Sequence, residues 1–127
     1  MKKLLLLIVL LIPMFCYSQV MKEKLDQAKS ANCINGEWTE IEWTECNIIC
    51  VIDFDSNKIK IYSTEYQDYD IVSDGEETTS NGTKRIKYKA LDTDGMQCYL
   101  SFITCDGTRF IYIEWSNALL MYSFEND

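Results

Sequence analysis

Residues 96–115 read MQCYLSFITCDGTRFIYIEW. From Met96 to Phe102 apolar and polar positions alternate, so that Met96, Cys98, Leu100 and Phe102 share one face, as on a strand where successive side chains point to opposite sides. Asp106-Gly107 then supplies two residues that tolerate the positive φ of a tight turn. A second run follows, with Phe110 and Tyr112 on one side and Ile111, Ile113 and Trp115 on the other. Two strands joined by so short a turn pair antiparallel, because a parallel neighbour needs a crossover of a dozen or more residues. A strand apolar on both faces also implies that something covers its second side: a helix, a partner protein or a small ligand.

The same pattern extends outward from this hairpin. Period-two runs predict strands over residues 37–45, 47–54, 58–63, 68–73, 84–91, 96–104, 108–115 and 119–124. Between them lie Asp55-Ser56-Asn57, Asp92-Thr93-Asp94-Gly95 and Ser116-Asn117, all with turn chemistry. The single proline, Pro13, precedes every strand and interrupts none. About eight antiparallel strands in a meander predict an all-β domain, closed as a small barrel or half-barrel or folded as a sandwich, which hides its edges. Residues 73–83 are polar and read as a solvated hairpin tip. The two Trp-Thr-Glu triplets, starting at Trp38 and Trp43, are five residues apart and therefore predicted on opposite strand faces. Upstream, Met21, Leu25 and Ala28 fall at helical spacing among charged residues, which predicts a short amphipathic helix over residues 20–31 packed against one end. The organisation expected is a helix and linker at 19–35 and an antiparallel β domain at 36–127.

Lys2 and Lys3, the apolar run 4–12 and then Cys16-Tyr17-Ser18 have the order of a cleavable export signal at residues 1–18, which leaves Gln19 as the first mature residue. The apolar run is shorter than the ~20 residues that span a bilayer, so no membrane insertion is expected after signal removal. The segment resembles the signals of Gram-negative envelope proteins, which implies a periplasmic or secreted destination.

Cleavage would leave 109 of the 127 residues, enough for one domain. It would also remove two lysines and take the net charge from −8 to −10. Such a field repels nucleic acid and anionic lipid, and it speeds encounter with a basic partner. Cys33, Cys46, Cys50, Cys98 and Cys105 would remain. In an oxidising compartment at least one disulfide is expected among them, with one thiol left over and the pairing open. Alternation puts Cys50 and Cys98 on apolar faces, as plain core residues or as a bridge through the core.

The chain has no histidine, which removes the commonest general base and any His-activated nucleophile. Asp53-Phe54-Asp55-Ser56-Asn57 imitates the start of a calcium loop, but Lys58 and Thr64 stand where that loop needs Gly and Glu, so it reads as a turn. No enzyme, metal or cofactor is expected. Aromatic side chains are the remaining feature, and Trp38, Trp43, Phe110 and Tyr112 are the candidate binding surface. The expected function is a non-enzymatic exported binding module for a protein partner or a small apolar ligand, an inhibitor of a basic enzyme being one form of it. The alternative is a structural or assembly protein of the bacterial envelope. In size, charge and architecture alone, the chain is similar to periplasmic lysozyme inhibitors.

Overall fold

The computed structural model describes residues 20–125; the expected signal peptide lies outside the described residues. Nine strands follow one another: β1 (Val20–Ile34), β2 (Glu37–Asp53), β3 (Lys58–Tyr62), β4 (Tyr66–Ile71), β5 (Glu76–Ser80), β6 (Thr83–Leu91), β7 (Gln97–Cys105), β8 (Thr108–Glu114) and β9 (Ala118–Phe124). They hydrogen-bond in the order β4-β3-β2-β1-β9-β8-β7-β6-β5, and β4 also pairs with β6 through Asp70 with Leu91 and Ile71 with Ala90. That last pairing closes eight strands into an antiparallel barrel. β5 continues the line of β4 along β6 and carries the β5–β6 hairpin beyond the rim. Every strand reverses its predecessor except at this β4–β5 junction. The turns therefore collect at two ends: an N-terminal end, where β1 begins, and a far end, which carries the β1–β2, β3–β4, β6–β7 and β8–β9 connections.

Asp106-Gly107, with φ of 50° and 78°, turns β7 into β8 as its composition predicts, and Asn35-Gly36 and Asn81-Gly82 do the same elsewhere. Asp53 Oδ1 accepts from the backbone N–H groups of Asp55 and Ser56, so the calcium-like stretch is a turn tied by its own aspartate. Gly75 stands where the chain crosses between β4 and β5. A Cβ there would come within 2.8 Å of Ile86 and of the Tyr88 ring, so only hydrogen fits.

The core is the barrel interior. Leu25, Ile59, Ile61, Leu100, Ile111 and Ile113 are fully buried, each contributing about 1.5–3 kcal/mol by removal from water. On β8 the aliphatic side faces inward, and Phe110 and Tyr112 face outward.

Several expectations need correction. The helix predicted over residues 20–31 is strand β1. The register of β1 against β9 shifts between Leu25 and Gln27, so one extra residue, Asp26, bulges. Leu25 and Ala28 consequently both reach the core although three residues apart, and this bulge is what imitates helical spacing. Residues 37–45 and 47–54 are not two strands. They form one, β2, whose 17 residues oppose the 15 of β1 through two further bulges. One of these bulges falls between Trp38 and Trp43, which therefore share the outer face instead of lying on opposite faces. Residues 73–83 are not all loop, since β5 pairs with β6 there.

The expected disulfide is not formed: Cys33, Cys46, Cys50, Cys98 and Cys105 are all free. Topology gives the reason. Cys50 on β2 and Cys98 on β7 sit four strands apart around an eight-strand ring, on opposite walls. Cys33 lies at the far end and Cys105 at the N-terminal end, while the Cys46 thiol donates to the Leu25 carbonyl at 3.4 Å.

Candidate functional site

At the N-terminal end, six strand rims converge on a cup of about 160 Å³, lined among others by Ile52, Phe54, Ile86, Tyr88, Phe102 and Phe124. Three of the rings form a triangle. Phe54 lies 6.3 Å from both Tyr88 and Phe102, and Tyr88 meets Phe102 edge-on at 6.0 Å. Met21 and Phe54 at the lip are 41% and 37% exposed, so the cup is open to water.

Glu23 on β1 and Arg109 on β8 supply its charge. Arg109 donates from Nη1 to Glu23 Oε1 at 3.2 Å and from Nη2 to Oε2 at 3.4 Å. The fork-to-fork pair neutralises itself, and the guanidinium carbon stands 5.1 Å from the Phe124 ring centroid. Both residues lie on the inward parity of their strands, Arg109 with Ile111 and Ile113, and Glu23 with Leu25. Directly across from Glu23 on β2, Cys50 is buried, its thiol pushed up to about 12 by burial and then by the Glu23 carboxylate.

The far end is finished differently. Gln67 Nε2 donates to the Tyr122 hydroxyl at 2.9 Å and to Ser63 Oγ at 3.0 Å, while the Tyr69 hydroxyl donates to Gln67 Oε1. Trp115 packs 6.3 Å from Tyr69 and donates its indole N–H to Asp92 Oδ2 at 3.0 Å. The other oxygen of Asp92 accepts from the backbone N–H groups of Asp94 and Met96. Burial raises the pKa of Tyr69, and burial followed by Asp92 pushes the nearby Cys98 thiol up to about 12. Side chains whose polar atoms are satisfied by one another plug this end. The space outside the plug, about 360 Å³, has mixed walls, with Glu65, Thr93 and Asp94 beside Tyr66, Trp115 and Leu120.

Of the four aromatic residues singled out from sequence, three come together. Trp43 lies 6.1 Å from Phe110, and Phe110 lies 6.5 Å from Tyr112. They are half-buried on the outer face, where the Arg85 guanidinium stands 6.0 Å from the Tyr112 ring. Beneath and around them Ser101, Ile103, Met121 and Ser123 are buried although they point away from the barrel interior. The second apolar side of β8 is thus covered by neighbouring side chains, and among the described residues no helix lies over it. Trp38 stands apart at the far end, 52% exposed, beside Ala31, Glu40 and Leu119.

Of the residues that line the cup, sequence reasoning singled out only Phe110. The cup's signal was an ionisable residue on the inward parity of a strand, at Arg109, and this becomes readable once the aliphatic side of β8 is known to face inward. Neither a protein-family model, nor a curated protein, nor a solved structure matches the chain.

Proposed function

We propose that the protein is a non-enzymatic, exported binding module that takes a small apolar group into the cup at the N-terminal end of its barrel. The observation that carries the reading is the convergence of aromatic and aliphatic side chains on one open hollow whose two charged residues are paired with each other. Ligand sites of this kind are mostly apolar with a few fixed polar groups. A dry cavity of about 150 Å³ holds a benzene-sized guest, so the cup suits a single ring, a branched aliphatic side chain or a short acyl segment. The absence of histidine from the sequence and the neutral state of the buried thiols favour binding over chemistry. Export rests on the order of charge, apolar run and small residues in the first 18 positions. Sequencing the amino terminus of the protein recovered from the host envelope tests it, with Gln19 the expected first residue.

The binding itself is tested by titrating labelled protein with toluene and with short-chain alcohols while following side-chain signals by NMR. Saturable shifts of Phe102, Phe124 and Tyr88, abolished by Ile86→Trp, are the expected result. Unmoved cup signals up to the solubility limit of every probe would end the proposal. A second reading, docking of a basic protein, draws on the net charge of −8 and on a separate surface.

A further inference from the structure

β2 is paired along its whole length with β1, but β3 pairs only with its last five residues, Ile49 to Asp53. Among the described residues no strand pairs with the other edge of residues 37–48. Open edges present a row of free N–H and C=O groups and template the addition of a further strand. Two bulges interrupt the longer part of this edge, near residues 42–43 and 46–47. Residues 37–41 keep a regular register with β1, and exposed Trp38 stands on them.

Charge selects the occupant. Residues 37–48 carry Glu37, Glu40, Glu42 and Glu45 and no lysine or arginine. Glu40 is answered within the chain, by Lys29 at 3.3 Å. A second copy is a poor match: pairing β2 with β2 sets glutamate against glutamate, and the outer edge of β5 brings Glu76 and Glu77. Like charges directly opposite destabilise a ladder, whereas opposite charges support it.

We infer that residues 37–41 of β2 accept an added antiparallel or parallel strand from a basic partner, an extended segment rich in lysine or arginine. The backbone ladder supplies the pairing and the glutamates choose the sign of the partner. The surface is independent of the cup, which lies at the other end of the barrel.

The probe is a seven-residue peptide alternating lysine and valine, with its ends blocked. A lysine–proline peptide of equal charge serves as control, because proline cannot donate to a ladder. Amide hydrogen exchange read residue by residue is the measurement. The expected result is at least tenfold slower exchange at alternate amides within residues 37–41 with the lysine–valine peptide and no slowing with the lysine–proline peptide. Glu37→Lys with Glu42→Lys, both at exposed positions, weakens binding at least tenfold while the rest of the exchange map stays unchanged. Ile86→Trp, which fills the cup, leaves the peptide's affinity as it was. Equal binding of the two peptides, or slowing elsewhere than residues 37–41, overturns the inference. So does a protein that dimerises without peptide and already protects these amides, since a second copy then holds the edge.

Discussion

The two ends of the barrel are made from the same alternating strands and finished in opposite ways. At the far end Tyr69, Gln67, Tyr122 and Trp115 satisfy one another's polar atoms, and Tyr69 is only 2% exposed. At the N-terminal end Phe54, Tyr88 and Phe102 touch mainly each other, and beyond them the space is empty. A buried tyrosine needs a partner for its hydroxyl, and providing one cross-links strands. A phenylalanine makes no such demand and leaves its neighbours free to part. The difference predicts that stability is concentrated at the plugged end and that accessibility is concentrated at the other.

The sharpest way to break this comparison is to delete one ring at each end. Tyr69→Ala removes a buried ring from the plug and is expected to cost about 3–5 kcal/mol, whereas Phe54→Ala, at the lip, costs about 1 kcal/mol or less. Urea unfolding with a common slope measures both. Equal losses would mean that the cup is ordinary core.

Alkaline pH probes both ends together, because one buried thiol lies under each. Cys50 and Cys98 keep their protons in the folded chain up to about 12, while in the unfolded chain they release them from about 9. Across that window the folded state binds more protons, so stability falls as pH rises, by roughly 1.4 kcal/mol per pH unit for each thiol once above the unfolded value. Below pH 9 the contribution is fully present. Unfolding free energies from pH 8 to 10, below the range where the buried tyrosines add to it, should show this slope, and Cys50→Ala and Cys98→Ala should each remove one thiol's share of it. An unchanged slope in either variant would show that its thiol is not shielded as its burial implies.

A smaller effect tests the plug's polar atoms alone. Gln67→Ala strands the hydroxyls of Tyr69 and Tyr122, at an expected cost of about 1–3 kcal/mol. If thermal unfolding of this variant matches the parent, water replaces the amide freely and the far end is less closed than its hydrogen bonds suggest.

What the sequence disclosed follows the same division between local and assembled features. β3, β6, β7, β8 and β9 announce themselves through alternation and flanking turns, and a meander of such strands is bound to close or stack. Bulges are where the reading failed. Asp26 shifts the parity of β1 by one residue and turns a strand into an apparent helix, and the two bulges in β2 made one strand look like two. A period count cannot detect an inserted residue without the partner strand. The disulfide expectation failed for a related reason: spacing along the chain does not reveal that Cys50 and Cys98 stand on opposite walls. The cup was illegible because its lining comes from the rims of β1, β2, β6, β7, β8 and β9, a few residues from each. The outer aromatic group was partly legible, as Phe110 and Tyr112 lie on one strand, but their packing on Trp43 depends on the curl of β2.

The smallest expected change in stability sharpens the comparison most, because it alters what the open end selects without altering how it is built. The Glu23–Arg109 pair is partly exposed, so Glu23→Gln should change folding stability by about 1 kcal/mol or less. The substitution leaves the Arg109 guanidinium above Phe124 with a neutral neighbour, at the lip of an apolar hollow. The parent cup, with its charges paired, should prefer uncharged guests such as toluene. The variant should gain affinity for short-chain carboxylates of similar size by tenfold or more, while its affinity for toluene stays the same, and the gain should shrink as salt is raised. Titration of both proteins with butyrate and toluene separates the possibilities. A gain for both guests would mean that Glu23 merely obstructs the cup. A gain for neither would mean that Arg109 swings out to solvent once released, and that the ion pair, more than the Phe124 ring, holds it at the lip.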